Sequence, residues 1–107
     1  MLVIKNIDKL AGKYDYLRVN EIRVTEDNTY EIHFRHYAVS DWKFTYILHR
    51  DMDERGCWVG TIRYQQNGQV YGGSHREDCS KTRLTEMDGF IQLLDSIVIE
   101  WKFKHGL

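Results

Sequence analysis

The sequence predicts an α+β domain: a five- or six-stranded antiparallel β-meander with a C-terminal α-helix packed on one face. Three stretches carry that prediction. Residues 30–48 alternate, with Tyr30, Ile32 and Phe34 on one parity and, after Tyr37-Ala38-Val39-Ser40-Asp41, Trp42, Phe44, Tyr46 and Leu48 on the next. Such a period of two marks strands with one dry and one wet face. Asn67-Gly68 stands between two further runs and supplies the positive φ angles that a two-residue type I′ turn needs. Near the C-terminus, Met87, Phe90, Ile91, Leu94, Val98 and Trp101 recur at steps of three and four, which draws one apolar stripe along a helix.

Residues 2–7 are apolar and β-branched enough for a short strand, and residues 8–13 for a helical turn ended by Gly12. A strand is expected over 16–24, but its parity changes between Leu17 and Val19 and then Ile22 and Val24, which predicts a bulge at Asn20-Glu21. A polar connection at 25–29 then sets Val24 opposite Tyr30 and Ile22 opposite Ile32. The odd-length connection that follows sets Phe34 opposite Phe44 and Ile32 opposite Tyr46, so both apolar sets land on one side.

A charged loop at 49–57 leads to a strand over 58–64, in which Gly60 is expected opposite Tyr46, making room for its ring or permitting a bend. The Asn67-Gly68 turn pairs Tyr64 with Tyr71 and Gln65 with Val70. Gly72-Gly73 is expected to weaken or kink the next strand, and residues 74–81 read as a polar loop. Thr85 is the expected helix N-cap, with Asp88 three residues on. Ile97, Ile99, Trp101 and Phe103 also alternate, but no turn residue separates them from the helix, so the helix is expected to run on in place of a last strand.

A length of 107 residues fits one domain, residues 1–107, with a core that requires no metal or dense disulfide framework. With 42% hydrophobic and 29% charged residues the composition is globular. The formal charge of −1 argues against non-specific attraction to nucleic acid by overall charge and leaves only a local basic face. No apolar run approaches a membrane span, and the first residues lack the pattern of a signal peptide, so the expectation is a cytoplasmic protein with no membrane partner.

Candidate chemistry falls into two groups. On the outer parity of the predicted sheet lie His33, Arg35, Tyr37, Lys43, Ile47, Val59 and Arg63, with Glu31 the one clear acid among them. A positive sheet face suits single-stranded nucleic acid, whereas its apolar members, with Val70, suit contact with a protein. The second group is a looser metal set: strand pairing gathers His49, Cys57, His75 and Cys79 at one end of the sheet, two imidazoles and two thiols competent for zinc but without a compact ligand spacing. Two reduced thiols are the default for a cytosolic chain, with a disulfide as the alternative. Asp51, Asp53 and Glu54 lack the remaining ligands and glycine of a calcium loop. His75-Arg76-Glu77-Asp78-Cys79 holds acid, base and nucleophile types in a row, which is not the geometry of a triad.

No convergent catalytic constellation emerges, so no enzyme activity and no cofactor are expected. The function expected first is a non-catalytic binding module: a small inhibitor or adaptor that occupies a protein surface, of the type made by phages and mobile elements, such as an inhibitor of a host defence complex. A single-stranded nucleic-acid binder using the basic outer face is the alternative. A second copy of the chain is a third candidate partner, since the same apolar residues suit a homodimer interface.

Overall fold

A computed structural model of the chain describes residues 3, 4, 6–77 and 87–106, with backbone alone at 73–77 and 87. Six antiparallel strands follow one another in the order β1 to β6: Gly12–Lys13, Leu17–Val24, Thr29–His36, Lys43–His49, Trp58–Gln66 and Gln69–Glu77. Among the described residues one α-helix, α1 (Met87–Lys104), follows the sheet. Consecutive strands are neighbours throughout, so each pairing is local in sequence and short connections suffice.

The pairings of the central hairpin are those the alternation dictates: Phe34 faces Phe44, Ile32 faces Tyr46 and Tyr30 faces Leu48. The β2–β3 register slips between Val19 and Glu21, and Asn20 is the extra residue of the expected bulge. That slip lets Leu17 and Val19 on one side of it, and Ile22 on the other, turn toward the same core although their parities differ. Val24, at the strand's end, is 52% exposed and takes no part in the core.

Asn67 and Gly68 take φ values of 51° and 82°, and the turn pairs Tyr64 with Tyr71 and Gln65 with Val70. Beyond it β6 departs from expectation. Gly72 and Gly73 do not interrupt the strand, which stays in register with β5 as far as the pairing of Glu77 with Trp58. A glycine has no side chain to pack, but it keeps its backbone donor and acceptor, and the ladder continues on those. Residues 74–77 are therefore strand, not loop. At the other end, a 3₁₀ turn at Ile7–Leu10 falls where the helical turn was expected, the described residues 3 and 4 are not strand, and Gly12 and Lys13, expected to end that turn, form the two-residue edge strand β1.

Helix α1 runs unbroken to Lys104, which settles residues 97–103 as helix. Phe90, Leu93, Leu94, Ile97, Val98 and Trp101 are all buried and pack on Tyr30, Ile32, Phe34, Phe44, Tyr46 and Leu48. Trp101 meets the rings of Phe44 and Trp42 edge-on at 5.1 Å each, and Tyr64 at 5.0 Å. Burial of each such large side chain is worth roughly 1.5–3 kcal/mol, so this aromatic layer holds the helix to the sheet. At the N-terminal edge the Ile4 amide donates to the Tyr30 hydroxyl at 3.0 Å, and Tyr14 donates to the Leu10 carbonyl at 2.5 Å. Burial, with Asp88 nearby, pushes the Tyr14 phenol above its ordinary range. The expected N-cap Thr85 lies outside the described residues. Among the described residues no helix is long and apolar enough to cross a membrane.

Candidate functional site

With one face of the sheet under α1, the other is left with alternate side chains of every strand. On that face β3, β4 and β5 form an open concavity of about 530 Å³. Its wall includes His33 and Arg35 from β3, Lys43 and Ile47 from β4 and Arg63 from β5, five of the seven residues expected to form a binding face. Arg35 and Arg63 thus stand on one side of the molecule. Tyr37 lies outside the concavity, 50% exposed in a 3₁₀ turn (Tyr37–Val39) past the end of β3. Val59 also lies outside it, half-buried and paired with Arg76 nearer the other end of β5.

The concavity has an electrostatic gradient set by side-chain pairing. At the Ile47 end charges are matched. The Glu31 carboxylate sits 2.6 Å from His33 Nε2, and the Thr45 hydroxyl lies 3.1 Å from His33 Nδ1. On β2, Arg23 donates to Glu21 at 2.7 Å, and its guanidinium holds that exposed carboxyl below the usual range. At the opposite end, Arg35, Lys43 and Arg63 form no ion pair among the described residues. Arg35 spends one N–H on the Ser40 carbonyl at 3.2 Å, which fixes the guanidinium near the rim and leaves its other donors for a partner. Val70, 62% exposed, closes the β6 side.

The looser metal set does not assemble. The β4–β5 register is shifted by two residues from the expected one: Gly60 faces Leu48, not Tyr46, so His49 is not opposite Cys57. A shift of two keeps every side chain on its own face, which is why alternation alone does not distinguish the two registers. His49 is exposed and pairs with Thr29, whereas Cys57 is 6% exposed, its amide donating to Asp53 at 2.9 Å. Cys57 is disulfide-bonded, which overturns the reduced-thiol expectation for it and removes a ligand thiolate. His75 is placed by its backbone opposite Gly60, and Cys79 lies outside the described residues. Among the described residues no group of three or more His, Cys, Asp or Glu is arranged to hold a metal.

Two features escaped sequence reasoning. His36 sits at a core position, 4% exposed, and its Nε2 is 2.6 Å from Asp95 of α1. The Ala38 amide donates to Nδ1 at 3.1 Å, so the ring proton belongs on Nε2, which donates to the carboxylate. With both nitrogens engaged, this dyad is a clip between β3 and α1, not an exposed base. Its signal in the sequence is a histidine continuing the parity of Tyr30, Ile32 and Phe34, since a buried polar group must find a partner. The second feature is that Arg18 and Lys13 belong to the outer face. Finding them required the bulge and the register of β1 together: Lys13 pairs with Arg18, and Arg18 with Arg35.

Comparison with known proteins finds no match: no family model, curated protein or solved structure is similar to the chain.

Proposed function

We propose that the protein is a non-catalytic binding module that occupies another macromolecule with the outer face of its sheet. One observation carries this reading: Arg35, Lys43 and Arg63 converge on a concave wall and form no ion pair among the described residues. Ordinary surface cations that only discourage sheet aggregation need no shared hollow. A surface that presents positive charge and a few apolar contacts, here Ile47 and Val70, fits a large anionic counterpart. An inhibitor or adaptor that covers an acidic patch of a protein belongs to this reading, and so does a binder of nucleic acid.

The test compares capture from lysate of the source cells by the tagged wild type and by Arg35→Glu/Arg63→Glu, with both protein and nucleic acid identified. The expected result is a macromolecule enriched by the wild type and lost from the variant, while the variant still unfolds cooperatively on heating. Ile47→Glu should lose the same species. Equal enrichment by all three chains would place the contact elsewhere on the molecule.

A further inference from the structure

The cations of the outer face are ordered across the strands, not scattered. Lys13 of β1 pairs with Arg18 of β2, and Arg18 pairs with Arg35 of β3. Lys43 of β4 comes next, one step beyond the pairing of Phe34 with Phe44. All four are exposed, and none forms an ion pair among the described residues. At an interstrand spacing of about 4.8 Å the file spans roughly 14 Å. Like charges directly opposite each other on neighbouring strands repel, so this arrangement costs folding free energy, and no ion pair among the described residues offsets it. The two carboxylates of the same face, Glu21 and Glu31, lie further along the strands and are engaged with Arg23 and His33. Asp15 and Asp41 sit in the connections at the near end, and neither is ion-paired with the file.

Beside the file the pairing of β2 and β3 continues by one step, where the Tyr37 amide donates to the Tyr16 carbonyl at 3.1 Å. That brings together two tyrosines that are 54% and 50% exposed, next to the Arg18 and Arg35 pair.

We propose that Lys13, Arg18, Arg35 and Lys43, flanked by Tyr16 and Tyr37, form a track for single-stranded nucleic acid. This rests on the reading of the outer face as the contact surface and names its partner class. A file of like charges at a repeating interval matches a polymer with one negative charge per unit, and two exposed rings beside it offer stacking to unpaired bases. A duplex buries its base faces and is read by an element entering a groove, whereas this track is a broad sheet surface with its rings along one side. With a net charge of −1 the protein has no general attraction for polyanions, so binding should depend on the track and fall steeply with salt.

The test is fluorescence anisotropy with labelled dT12 and U12, a 12-base-pair duplex and labelled polyglutamate, each titrated with full-length protein at several salt concentrations. The expected result is binding of one or both single strands, which separates DNA from RNA, with a log–log salt slope near −3 for four contacts at about 0.7 each. Arg18→Ala/Arg35→Ala should reduce the slope by about 1.4 and weaken binding by tenfold or more near 0.1 M salt. Tyr16→Ala/Tyr37→Ala should weaken binding at least about fivefold with the slope unchanged. Lys102→Ala/Lys104→Ala on α1, which removes the same charge elsewhere, should leave affinity within about twofold. Binding of polyglutamate but of no single strand, lost in the Arg18→Ala/Arg35→Ala variant, would overturn the proposal and leave the outer face as the site of an acidic protein. Binding of single strands that ignores the track variants, or no binding of any probe, would overturn it as well.

Discussion

Gly60 is where a single missing side chain does most for this fold. A Cβ built there would stand 2.2 Å from the Tyr46 hydroxyl oxygen and 2.7 Å from a ring carbon, inside any tolerable contact. Tyr46 is fully buried and packs against Phe90 at 6.2 Å between ring centroids, so its ring has no vacant space to swing into. Gly60→Ala should therefore cost roughly 1–3 kcal/mol, the usual effect of overpacking a filled core. Urea unfolding followed by tryptophan fluorescence measures it, and an unchanged midpoint would show that the ring moves freely. The sequence revealed which ring this glycine admits but not the register. Alternation puts Gly60 and Tyr46 on one face, and the observed register places them diagonally, where a tyrosine ring still reaches across the strand.

At the scale of elements, what was legible is what leaves a periodic or stereochemical signature. The β3–β4 hairpin, the Asn67-Gly68 turn, the bulge and the full run of α1 all follow from spacing or from backbone requirement. The two-residue β1 leaves no period to detect, and the continuity of β6 through Gly72-Gly73 depends on backbone bonds to β5 that no side-chain pattern reports. Which residues share the outer face was legible by parity, whereas its Lys13 and Arg18 members depend on registers that add up across β1, β2 and β3. The junction of sheet and helix was also hidden, because His36 and Asp95 are 59 residues apart and meet only after the helix docks. Asp95→Ala leaves the His36 Nε2–H buried without its acceptor, and such an orphaned donor costs about 1–3 kcal/mol. The expected outcome is a lowered urea midpoint with the unfolding slope unchanged. His36→Phe in the same background should then recover part of the loss by removing the donor, and failure of that rescue would show that the clip is not what Asp95 contributes.

The whole molecule divides its charge unevenly over two sides of one sheet, and that asymmetry makes a claim about stability separate from any partner. One side is sealed by aromatic rings and α1. The other carries a file of four cations that form no ion pair among the described residues. If the file is retained for a ligand, the unliganded fold carries its repulsion as a standing cost. Removing alternate charges with Arg18→Gln/Lys43→Gln should then stabilise the protein by roughly 0.2–1 kcal/mol in low salt. Arg35 is left in place because its bond to the Ser40 carbonyl is a native contact. The gain should shrink as salt rises, since the screening length falls from about 10 Å at 0.1 M to about 3 Å at 1 M, shorter than the spacing between strands. Thermal melts of both chains across that range give the answer in one series. A variant less stable than wild type at low salt would mean that the long side chains earn their place by packing their stems over the sheet, and the file would lose its meaning as a charge held in reserve for an anionic polymer.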